Sequence, residues 1–206
     1  AKFTVGKTVE EFEKGAISET GKAPEGTDLA SSATMYMSSY VNAVKMAVAN
    51  ANHLGAQSGD TLKMATIMKI DGSTAASADK NGTAQLDIDV VALTMNGDTI
   101  TSCELNSTQA KVAFDASGAI KTTDLSAPVL SKNELGAAYN MVLYGNAKAE
   151  WNEQAAAFAS YITGKTAADV AGIAVNEKTA PTDADLTASV TIKIGGFQEL
   201  VAKAAG

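Results

Sequence analysis

Arginine is absent from this 206-residue chain: all 16 basic residues are lysine, set against 23 acidic ones, for a formal net charge of −7. Arginine is the side chain suited to bidentate phosphate and base contacts. An acidic chain without it has no electrostatic footprint for DNA or RNA, and an anionic membrane surface is disfavoured on the same ground. Cys103 is the only cysteine, which excludes an intramolecular disulfide. His53 is the only histidine, so the three or four Cys and His ligands of an ordinary zinc site are lacking. A Ser-His-Asp triad has only His53 to draw on, and no nucleophile-elbow motif accompanies it. No apolar run approaches the ~18–20 residues that span a bilayer. Aromatic residues are 5% of the chain, so the core is expected to be small and aliphatic.

What is present is ample for a fold. Apolar residues make up 46% of the chain, too many for a disordered segment. Thr8 with Glu11 three residues later reads as a capping box opening a short helix to Ala16. Gly21 to Gly26 reads as a loop. Asp28 or Ser31 then caps the longest expected helix, running to about Asn52. Its apolar face is set by Ala33, Met37, Tyr40, Val44, Ala47 and Ala51, widened by Met35, Val41, Met46 and Val48.

Beyond Gly59 the period changes to two. Leu62, Met64, Thr66, Met68 and Ile70 alternate with Lys63, Ala65, Ile67 and Lys69. Leu86, Ile88 and Val90 alternate with Gln85, Asp87 and Asp89 in a strand continuing to Met95. Asn96-Gly97 signals a hairpin turn, with a return strand through Ile100, Cys103 and Leu105. A further strand at 111–114 completes an antiparallel meander. Ser131 caps a short helix, and a longer one spans about 147–163 with Trp151, Ala155, Phe158 and Ile162 on one face. Thr166 caps another turn after Gly164. Leu186 to Ile194 alternates like a strand, and Gly195-Gly196 leads into a terminal helix. The order predicts an α+β fold: an antiparallel sheet packed with helices, a helical segment over 1–60 containing a long N-terminal helix, and an α+β domain over 61–206. Asp87 and Asp89 read as a solvated sheet face, and Cys103 as a small buried hydrophobe.

The stretch from Gly82 to Asp87 and on through Asn96 to Ile100 resembles the opening hairpin of FMN-binding domains of flavinylated electron-transfer subunits and lipoproteins. The stretch from Asp183 is similar to that family's flavinylation motif, Asp-x-x-Ser-Gly-Ala-Thr-x-Thr-Ser before a helix. Asp183, Ala188 and Thr191 stand in register, while Leu186, Thr187, Ser189 and Ile192 replace Ser, Gly, Thr and Ser. The resemblance implies FMN as cofactor, held by Asp183, Thr187, Ser189, Thr191, Gly195 and Gly196, with its phosphate at the start of the last helix. A covalent phosphoester would fall on Ser189. It also implies an extracellular or cell-surface electron carrier, itself no enzyme, whose partner is another cell-surface redox protein. The blocks Lys132 to Gly136, Glu150 to Gln154 and Asp183 to Thr191 resemble secreted proteins of anaerobic Gram-positive bacteria, a likeness that brings no activity with it. Ala1-Lys2-Phe3 is compatible with a mature N-terminus after signal-peptide removal.

A different class fits the same residues. Low charge and many Thr, Ser, Ala and Gly residues suit a self-associating structural subunit of a surface layer or extracellular filament. On that reading Thr187, Ser189 and Thr191 are an ordinary solvent face. Gly195-Gly196 is then only a turn.

Overall fold

The structure is a computed structural model that describes residues 2–145 and 147–206; Ala1, where the expected mature N-terminus begins, lies outside the described residues. The chain divides into two compact units, Ala1–His53 and Leu54–Gly206.

The first unit holds α1 (Val9–Ala16), α2 (Asp28–Ser32) and α3 (Ser38–Ala49). Thr8 opens α1 as expected: its hydroxyl accepts the Glu11 N–H at 3.2 Å, and its own N–H donates to Glu11 Oε2 at 2.9 Å. The long helix is not formed. The chain leaves α2 at Ala33 in an extended conformation, Tyr36 forms a strand-like bridge with Lys22, and the Met37 N–H donates to the Gly21 carbonyl. The Ser31 and Ser32 hydroxyls add to the break by bonding back to the Asp28 carbonyl. The apolar face is correspondingly narrower than its periodicity implied. Only Val41 of α3 is buried, packed with Phe12 and Ala16 of α1, with Met37 and Val44 half-buried beside them. Tyr40, Met46, Ala47 and Val48 are exposed.

The second unit is built on a three-stranded antiparallel sheet in the order β1 (Thr61–Lys69), β2 (Gly82–Asn96), β3 (Thr99–Phe114). The β2–β3 hairpin forms where the turn signal placed it, shifted by one residue: Asn96 pairs with Thr99, and the two loop residues are Gly97 and Asp98. Gly97 takes a φ of 58°, which a residue with a Cβ adopts at a cost. The strands expected at 99–105 and 111–114 are one continuous β3.

A bulge in β3 explains an oddity of its burial. Ile100 faces Met95, but Ser102 already faces Thr94, so Thr101 is an extra residue. The bulge turns Ile100 onto the same face as Cys103 and Leu105, and all three are buried. The displaced Thr101 hydroxyl donates to Asp60 at 2.6 Å. Its carbonyl lies 2.6 Å from where a Cβ on Gly55 would stand, so only glycine fits there.

One face of the sheet is the core side. Ala65 and Ile67 of β1 join Val91, Leu93 and Met95 of β2 under α6 (Trp151–Ile162) and α9 (Gly195–Ala205). Trp151, Gln154, Ala155, Phe158, Ala159 and Ile162 form the buried stripe of α6, spaced by three and four. The Phe158 and Phe197 rings lie 5.6 Å apart, and Trp151 meets Phe197 edge-on at 5.9 Å. Burial pushes the Cys103 thiol up to about 12, consistent with an inert core residue.

β1 presents its larger apolar side chains away from this core. Register decides it: Ala65 pairs with Val91, whose face is committed, and the period of two then sends Leu62, Met64 and Met68 to the opposite side. The connecting elements are α4 (Lys132–Leu135), a 3₁₀ turn (Gly136–Tyr139), α5 (Met141–Gly145), α7 (Ala167–Ala171) and α8 (Ala184–Thr187). Leu186 to Ile194 is not a strand. Its start is α8, and its remainder is irregular chain: the Ser189 and Val190 N–H groups donate to the Leu186 carbonyl, those of Thr191 and Ile192 to the Gln154 side chain, and that of Ile194 to the Thr179 carbonyl.

Candidate functional site: a polar cleft on the core side of the sheet

Along each strand the core side changes character partway. In β2 the buried Met95, Leu93 and Val91 give way to Asp89, Asp87 and Gln85, and in β3 Leu105 gives way to Ser107 and Gln109. The helices do not close over this polar half. A cleft of about 710 Å³ remains, lined by Asp87, Asp89, Gln109, Lys132, Tyr139, Trp151, Thr191 and Gly196 among others.

Its polar groups are tied to one another. Asp87 accepts from the amide nitrogens of Gln85 at 2.7 Å and Gln109 at 2.7 Å, and the Tyr139 hydroxyl donates to Gln109 Oε1 at 3.3 Å. Burial works to raise the Asp87 pKa, but the two amide donors together with the charges of Lys132 and Lys111 outweigh it and hold the carboxyl below its ordinary value. Lys132 places its ammonium 5.0 Å from the Tyr139 ring centre and 4.9 Å from that of Trp151. Burial pushes its pKa down, against the pull of Asp89 and Asp87. Tyr139 is pushed up by burial. Among the described residues no group of three His, Cys, Asp or Glu side chains is placed to hold a metal ion.

The six residues singled out in the sequence are split by the fold. Thr191 and Gly196 line the cleft. Asp183 caps α8, accepting from the N–H groups of Asp185 and Leu186. The Thr187 hydroxyl donates to the Ala184 carbonyl, and the exposed Ser189 donates to the Leu186 carbonyl at 3.4 Å. Neither faces the cleft. Gly195 and Gly196 do open α9. A Cβ on Gly195 would stand 2.9 Å from Thr179, and one on Gly196 would stand 4.0 Å from Asp89 Oδ2. The Asp89 carboxylate therefore stands beside the first turn of α9, where the helix dipole favours negative charge. A flavin phosphate brought there would meet that carboxylate at close range, with Asp87 two residues along the same strand face. These residues do not fit a phosphate bound at the helix start.

Two side chains that shape the site were not singled out in the sequence. Gln154 is fully buried on α6. Its Oε1 accepts from the Thr191 N–H at 2.8 Å, the Thr191 hydroxyl at 3.1 Å and the Ile192 N–H at 3.2 Å, while its amide donates to the Ala149 carbonyl at 2.8 Å. Lys132 is the other, a charge held over two rings. A glutamine at i+3 from Trp151 on an otherwise apolar helix face was the available signal for the first.

The chain matches no family model, no curated protein and no solved structure.

Replacing Gln154 with Met keeps its volume and removes every one of these bonds. Two backbone donors of the irregular chain are then stranded, at roughly 1–3 kcal/mol each. The expected outcome is a loss of about 3 kcal/mol in denaturant unfolding. A loss below about 1 kcal/mol would show that water replaces the glutamine.

Proposed function

We propose that this chain is a structural, non-enzymatic subunit that associates with copies of itself outside the cell, in a surface layer or filament. The observation that carries the reading is how much large apolar surface the folded chain leaves uncovered. Leu62, Met64, Met68 and Ile70 are exposed on and just beyond β1; Leu125, Val129, Leu143 and Tyr144 are exposed in the 125–144 region; Met35, Tyr36, Tyr40, Met46 and Val48 are exposed in the first unit. Single exposed apolar residues are ordinary, but clusters of this extent mark interaction surfaces. The edge of β1 supports the same reading. Among the described residues no backbone–backbone bond outside the β1–β2 ladder engages it, and the Lys203 ammonium donates to the Thr66 carbonyl at 2.9 Å, whereas β3 is capped by bridges from Ser131 and Thr166. Likeness to secreted proteins supports the extracellular placement. The lack of a helix long and apolar enough to cross a membrane, among the described residues, fits either a free or an assembled subunit.

Flavin carriage is the second reading, favoured by one observation: Thr191 and Gly196 both border a cleft floored by Trp151 and Tyr139. The carboxylates in that cleft and the outward-facing Ser189 weigh against it. Any redox chemistry would be the flavin's, with the protein supplying position.

Sedimentation velocity across the micromolar range should show a weight-average mass that rises with concentration. A monomer mass throughout would end the structural reading. Titration with FMN should leave the flavin fluorescence unquenched at micromolar protein. Saturable quenching at one FMN per chain would put the second reading first.

A further inference from the structure

Among the described residues of the second unit, no element packs on the side of the sheet facing away from α6 and α9. Leu62, Met64, Met68 and Ile70 are 64%, 66%, 67% and 71% exposed there. The strand pairing brings Leu62, Met64 and Met68 level with Thr94, Ala92 and Ile88 of β2, and beyond these with Ser102, Glu104 and Thr108 of β3. We propose that this outer face is where two copies of the chain meet, sheet against sheet across a two-fold axis. The proposal rests on the self-associating reading above and names the surface it uses.

Three features select a second copy as the occupant. The first is charge. Of the outward positions on the three strands only Glu104 is charged, and it is tied to the Asn133 amide at 2.9 Å. The lysines and aspartates of the same strands, Lys63, Lys69, Asp87, Asp89 and Lys111, alternate onto the other side. A chain with a net charge of −7 repels its own copies everywhere except through a neutral face. The same charge disfavours an anionic membrane, and the outward positions carry no Trp or Tyr to anchor at a lipid interface.

The second feature is self-complementarity. Read along β1 the outward residues run Leu62, Met64, Thr66, Met68, Ile70. Along β2 they run Ala84, Leu86, Ile88, Val90, Ala92, Thr94. A two-fold axis across the strands at Thr66 reverses strand direction and sets Met64 of one copy against Met68 of the other; because Thr66 pairs with Val90, it also sets Ile88 against Ala92, apolar groups on apolar groups.

The third feature is area. Nine residues of β1 extend roughly 30 Å, and three strands are about 14 Å across with their side chains. Such a face covers roughly 400 Å² in outline per copy, so the pairing it supports belongs to the smaller, reversible class of interface. Two such sheets pack aligned, about 10 Å apart.

The test is a Met64→Glu, Met68→Glu double variant. Both side chains are exposed, so the monomer should fold with an unchanged circular dichroism spectrum and melting point. Burying four new carboxylates in the dimer should raise the dissociation constant at least about 100-fold in sedimentation equilibrium. Tyr144→Glu, at an exposed site off the sheet, should leave it unchanged. Should the double variant not fold, Thr66→Lys, at a position already polar and exposed, gives the same readout. A double variant that associates as the wild type does would overturn the proposal and leave self-association standing through another surface. A wild-type chain that is monomeric throughout would overturn both.

Discussion

A three-stranded sheet has two faces, and this chain brings helices to only part of one. Everything else in the second unit follows from that one-sided packing. Val91, Leu93 and Met95 commit their face of β2 to α6 and α9, and pairing carries Ala65 and Ile67 with them. The larger apolar side chains of β1 are then obliged to point outward. An antiparallel sheet that leaves its second face to water is ordinarily polar on that face, whereas β1 presents Leu62, Met64 and Met68 there. The uncovered face is thus a consequence of the register that builds the core, and it is also the strongest argument that the chain works in company.

The uncovered part of the core side has the opposite chemistry. Where the helices end, the sheet switches from aliphatic to polar, and the polar residues satisfy one another: two glutamine amides on Asp87, two aromatic rings under Lys132. The start of α9 is faced by the chain's own Asp89. Gln154 holds the approach to that helix in place by taking the donors of Thr191 and Ile192. A closed network of this sort is a stable boundary to the core. It also bears on why a segment with strand-like alternation is not a strand: the Ser189 and Val190 donors turn back to Leu186, and those of Thr191 and Ile192 are taken by a helix side chain.

Local signals in the sequence were legible where local physics decides. The capping box at Thr8, the caps at Ser131 and Thr166, the alternation of β1 and β2, and the glycine at the hairpin all stand in the structure. What failed needed long-range information. Periodicity alone joined α2 to α3, because the bridge from Lys22 to Tyr36 that separates them comes from another part of the chain. It did not show which face of β1 the core would take, since both are apolar. At the site, Asp87 and Asp89 read as a solvated sheet face, whereas they lie on the core side with Val91 and Leu93, in a cleft formed by Lys132, Tyr139 and Trp151 from distant elements. Asp183, Thr187 and Ser189 shared a motif in sequence but fell away from Thr191 and Gly196 when α8 formed.

Methionine oxidation offers the most direct reading of which face is covered in solution. Met64 and Met68 lie on the outer face and Met95 lies in the core, so one chain carries both probe and reference. With limiting peroxide, peptide mass spectrometry should find Met64 and Met68 oxidising several-fold more slowly in concentrated than in dilute protein, with Met95 slow in both. Equal rates for Met64 and Met68 at every concentration would contradict the account, because the outer face would then be open water wherever the protein is found.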